Sequence, residues 1–77
     1  MSQKLPQIGC QELIRVLERA GFVKKRQKGS HLHLRREADG KRVTIPVHPS
    51  KPVPVGTLRA ILRDADIGVD EFLELLQ

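Results

Sequence analysis

Three histidines, His31, His33 and His48, are the side chains of this sequence best suited to moving protons near neutrality, and all lie in or beside its most basic stretch. The sequence has no nucleotide-binding glycine loop, no cysteine pair at zinc spacing and no serine in a nucleophile-elbow setting. Histidine on a basic surface suits one reaction well. In RNA the 2′-hydroxyl already stands beside the phosphorus. A protein then has only to remove its proton, protonate the leaving oxygen and stabilise charge on the phosphoryl group.

His31 is the best placed of the three. It follows Gly29-Ser30 at the start of a period-two segment, where its ring can project past a sheet edge toward a bound backbone, with Arg26 and Lys28 close by to gather phosphate. His33 falls on the same side, as a proton partner, a substrate contact or an ordinary half-exposed sheet residue. Two imidazoles on alternate strand positions also allow a metal reading, although no further ligands stand at a recognisable spacing. His48 precedes Pro49 and suits a turn.

Charge is concentrated around these residues. Between Lys24 and Lys51 there are nine lysines and arginines against Glu37 and Asp39, a local excess of +7, whereas from Asp64 onward there are five acids and no base. A basic centre beside an acidic tail points to a polyanion-binding face. No apolar run approaches the roughly 20 residues of a membrane span. The opening MSQKLPQIG lacks the apolar segment of a secretory signal, and the lone Cys10 cannot form an internal disulfide. A cytoplasmic protein of one domain, residues 1–77, with no membrane association is expected.

The elements that must position the histidines follow from periodicity. Cys10, Leu13, Leu17 and Ala20 recur at helical spacing and Gly21 ends the run; Phe22 to Lys28 reads as a basic strand; Gly29-Ser30 is a turn. From His31 onward Leu32 and Leu34 alternate with His31, His33 and Arg35. Asp39-Gly40 marks a hairpin, and Val43, Ile45 and Val47 alternate with Arg42 and Thr44 in a third strand, which ends or has an unpaired edge at Pro46. After the connector HPSKPVPVG, Leu58, Ile61, Leu62 and Ala65 define a second helix. Gly68 caps a third, with Asp70 and Glu71 in its first turn and Val69, Phe72, Leu73 and Leu76 as its stripe. The class is α+β: α-β-β-β-α(-α), with a three-stranded antiparallel sheet covered on one face by helices. Cys10, Phe22 and Phe72 belong in the core, so no tyrosine, tryptophan or phenylalanine is left to stack bases.

The run from Gly21-Phe22 through RQKGSH, then DGKRVTIPVH and GTLRAILRDADIGVDEFLELL, resembles the HicA family of toxins from toxin–antitoxin pairs, in matching order across nearly the whole chain. The resemblance implies a fold similar to the double-stranded-RNA-binding domain. It also implies a metal-independent, cofactor-free mRNA interferase with a single catalytic histidine, which maps to His31, and a cognate HicB-type antitoxin that covers the active face. Lys24, Arg26, Lys28, Ser30, His33 and Arg35 are the candidates for RNA binding or catalytic support. Family members frequently carry a second histidine immediately after the first; here Leu32 stands there and His33 follows one place later. A non-catalytic RNA-binding module would use the same basic face with an inert His31.

Overall fold

A computed structural model describes residues 5–77. Residues 1–4, part of the expected domain, lie outside them. The order is α1 (Cys10–Arg19), β1 (Phe22–Lys28), β2 (His31–Arg36), β3 (Lys41–Pro46), α2 (Val55–Asp64) and α3 (Val69–Leu76). The strands form an antiparallel meander with β2 in the middle. This is the α-β-β-β-α-α order expected from the sequence.

One face of the sheet carries the core. Leu32, Leu34, Val43, Ile45 and Phe22 are buried against Leu13, Val16 and Leu17 of α1, Leu58, Ile61 and Leu62 of α2, and Phe72 of α3. Cys10 is buried with them as a small apolar residue. The alternation of β2 therefore puts Leu32 and Leu34 inward and leaves His31, His33 and Arg35 on the open side.

The turns suit their residues. Gly21 has φ +99 just past α1, and an added Cβ would stand 3.3 Å from Cδ of Arg36, so glycine answers both a backbone and a packing demand. Gly29, at φ +60, leads the two-residue β1–β2 turn, a glycine-first arrangement compatible with strand twist. The β2–β3 connection is a four-residue loop. Gly40 is its left-handed residue, and the Gly40 N–H donates to the Arg36 carbonyl at 2.8 Å. At the end of α2, the Asp66 N–H donates to the Arg63 carbonyl and the Ile67 N–H to the Leu62 carbonyl. Asp66 sits at φ 58 between them, where glycine is the commoner choice.

One boundary shifts from the sequence reading. The connector ends at Pro54 rather than Gly56, because α2 begins at Val55. Pro54 has φ −57 and its carbonyl accepts from the Leu58 N–H at 2.9 Å, which closes the first turn of the helix over Gly56. Strand β3 ends at Pro46 on a sheet edge, one of the two outcomes expected there, and the Val47 N–H turns to the Ser30 carbonyl at 2.6 Å.

Arg36 is counted with the basic centre in the charge map, but the structure uses it internally. It lies on the core side of β2 with its guanidinium 4.7 Å from the centroid of Phe22. Nη1 donates to the Ala20 carbonyl (3.2 Å) and Nη2 to the Ala65 carbonyl (2.9 Å), the C-terminal caps of α1 and α2. Nε and Nη2 also hold Asp39, the latter at 2.8 Å. One cation thus meets the negative ends of two helix dipoles, an aromatic face and a carboxylate. Those hydrogen bonds hold the Asp39 carboxyl below the usual aspartate range and keep Arg36 more firmly charged.

Candidate functional site

The open face of the sheet is organised by cross-strand pairing. At the Gly29-Ser30 end, His31 lies between Lys28 and Pro46; the next row is Arg26, His33 and Thr44; the row beyond is Val23, Arg35 and Arg42. Two of the cations reach this face through an irregularity in β1. Phe22 pairs with Arg36 and Lys24 with Leu34, but Arg26 pairs with His33, so Lys25 is an extra residue bulged from the ladder. In a regular strand Phe22, Lys24, Arg26 and Lys28 would share one face, and Phe22 is buried in the core. The bulge inverts the alternation and delivers Arg26 and Lys28 to the side of His33 and His31. Lys24, ahead of the bulge, stays on the side of Leu34.

A shallow depression of about 610 Å³ opens on this face, lined chiefly by Lys25, Arg26, His33, Arg35, Arg42 and Thr44. His33 is half-buried, and its Nδ1 is 3.0 Å from Oγ1 of Thr44. His31 is exposed and stands one row nearer the turn, outside the lining. Glu37 draws in two of the cations: Oε1 is 3.1 Å from Nζ of Lys25 and 3.9 Å from Nε of Arg35. The Lys25 hydrogen bond first, then the charge of Arg35, holds the Glu37 carboxyl below its ordinary range. Among the described residues Arg26, Lys28 and Arg42 have no acidic partner, and Arg35 Nε is buried with no hydrogen-bond acceptor. A phosphate backbone crossing the strands would meet cations contributed by all three.

Of the residues singled out from sequence, the structure brings Arg26, Lys28, His31, His33 and Arg35 onto one face. Ser30 sits in the adjacent turn, where its carbonyl accepts from Val47. Lys24 lies apart from them. His48 is exposed after β3, and its carbonyl accepts from the Lys51 N–H at 3.1 Å, closing a turn. Sequence reasoning left out Lys25, Arg42 and Thr44. The last two alternate with buried Val43 and Ile45 and were open to the same period-two inference as His33. Lys25 was not, because it depends on the bulge.

Among the described residues no three His, Cys, Asp or Glu side chains come together as a metal-binding group. Nor, among the described residues, is any helix long and apolar enough to cross a membrane. No curated protein matches the chain. The sequence profile described as the HicA toxin of bacterial toxin–antitoxin systems matches residues 10–67, a span that takes in α1, the whole sheet and α2. The chain therefore belongs to the HicA family, the toxins of bacterial toxin–antitoxin systems, and an antitoxin is the partner that such a system supplies.

Proposed function

We propose that this toxin is a metal-independent endoribonuclease that cleaves messenger RNA in the cytoplasm, with His31 as its catalytic histidine, and so inhibits translation and growth. The observation that carries the reading is the position of His31. It is exposed at the turn end of β2, beside Lys28, on a face where cations from three strands converge. Imidazole there takes the 2′-hydroxyl proton, and the neighbouring cations hold the phosphodiester and offset the charge that develops on it. Phe22 and Phe72, the only Phe, Tyr or Trp side chains, are buried, so the face offers no stacking platform of that kind and grips RNA mainly through its backbone. A HicB-type antitoxin with an acidic docking surface restrains the enzyme by covering this face, in a fast and salt-sensitive association.

The 2′-hydroxyl gives the test. Purified protein in excess EDTA is expected to cut an RNA oligonucleotide and to leave intact a version with deoxyribose at each cleaved position. It should still bind that analogue, with affinity falling steeply as salt rises. Binding without cleavage of either strand would identify a non-catalytic RNA-binding module. Cleavage that vanishes with EDTA would point to a metal.

A further inference from the structure

In-line displacement at phosphorus needs two proton transfers on opposite sides of the reacting centre: one from the 2′-hydroxyl and one to the departing 5′-oxygen. One exposed imidazole covers one side. Resting on the reading of His31 as the base, we infer that His33, held through Nδ1 by Thr44, is the general acid of the same reaction.

Three observations converge on His33. Its Cα is two residues from that of His31 on one strand face, roughly 7 Å along β2, so the two rings can flank a single phosphodiester. His33 lines the cationic depression and His31 does not, so the two histidines differ in setting: one exposed at the turn, the other half-buried where the substrate backbone is gripped. Thr44, its cross-strand partner, places Oγ1 3.0 Å from Nδ1. In the charged ring both nitrogens carry protons. Nδ1–H donates to Thr44 Oγ1, which fixes the ring plane and leaves the Nε2 proton as the one to be given away.

The groups facing His33 are Arg26 and Lys25 from β1, Thr44 and Arg42 from β3, and His31 and Arg35 on its own strand; among the described residues no carboxylate lines the depression. The counter-charge for the ring's charged form comes from the substrate phosphate. The step balances. His31 takes the 2′-hydroxyl proton, the 2′-oxygen forms a bond to phosphorus, the bond from phosphorus to the 5′-oxygen breaks, and that oxygen takes the Nε2 proton of His33. The products are a 2′,3′-cyclic phosphate and a 5′-hydroxyl, and exchange with water restores both rings. Thr44 is a positioning residue, since it acts only through the ring.

An oligoribonucleotide cut at a mapped linkage, compared with one carrying sulfur in place of the 5′-oxygen at that linkage, tests the assignment, because a thiolate leaves without help from an acid. His33→Gln is expected to be slower by about 10²-fold to 10⁴-fold on the oxygen linkage and close to wild type on sulfur. His31→Ala should be slow on both. Thr44→Val should lose roughly tenfold on oxygen and little on sulfur, with Thr44→Ser near wild type. Wild-type cleavage of the oxygen linkage by His33→Gln, or an equal loss on both linkages in a variant with wild-type circular dichroism, would overturn the inference and leave the role of His31 standing. Failure of the wild-type protein to cut RNA would overturn both.

Discussion

Replacing His31 with alanine is expected to lower RNA cleavage by at least about 10²-fold to 10⁴-fold, the usual contribution of a positioned acid–base group, and to abolish growth arrest on expression. The ring is exposed, and its strand is held by ladder bonds on both sides and by the buried Leu32 and Leu34. The change should therefore move stability by no more than about 0.5 kcal/mol. The variant should still bind RNA through Arg26, Lys28 and Arg42, and should still form the antitoxin complex. Loss of cleavage together with loss of fold would identify a structural histidine. Undiminished cleavage by a folded variant would remove His31 from the chemistry altogether.

The second large effect lies far from the reaction. Arg36→Ala leaves two helix-end carbonyls and Asp39 without their shared donor and uncovers one face of Phe22. The Arg36 side chain is only 16% exposed, so solvent cannot fully replace what is lost. Hydrogen bonds to a charged group and a partly desolvated cation–π contact together suggest a loss of about 3 kcal/mol. For a chain of this size that is a fall in Tm of roughly 12–24 °C. Thermal unfolding followed by circular dichroism measures it, and a drop of only a degree or two would show that Arg36 is merely another surface cation. Cleavage per folded molecule should be unchanged. Asp39→Asn should be milder and should alter the pH dependence in a definite direction. The folded-state Asp39 carboxyl is held below its unfolded value, so its contribution is present above the ordinary aspartate range, about pH 3.9, and is lost as pH falls further. Wild type should therefore destabilise more steeply than Asp39→Asn on acidification. Glu37, shifted the same way by Lys25 and Arg35, keeps part of that acid limb in both proteins.

Much of this was legible in the residues, and the limits were physical. Helix α1 could be read because Cys10, Leu13 and Leu17 share a stripe that Gly21 terminates, and β2 because Leu32 and Leu34 alternate with polar residues that a one-sided sheet must expose. The exposed side of His31 and His33 followed from that parity alone. Parity failed in β1, where Phe22, Lys24, Arg26 and Lys28 have the same spacing but part company at Lys25. A bulge is decided by pairing with a neighbouring strand, which a single segment does not record. Charge counting failed at Arg36 for a related reason. Its use is set by two helix ends brought together by the fold, one from before the sheet and one from after it. Thr44 was readable as outward-facing, but its contact with His33 depends on the β2–β3 register. The reaction attached to His31 came from the resemblance carried by Gly29-Ser30-His31, since histidine type and position alone allow a bland surface role.

The chemistry leaves a signature in its products. RNA digested by the purified protein in EDTA should yield fragments whose new ends, measured by mass spectrometry, are a 2′,3′-cyclic phosphate, or the 3′-phosphate formed by its hydrolysis, and a 5′-hydroxyl. New 3′-hydroxyl and 5′-phosphate ends, or no fragments at all without a divalent metal, would contradict a histidine-driven attack by the 2′-hydroxyl.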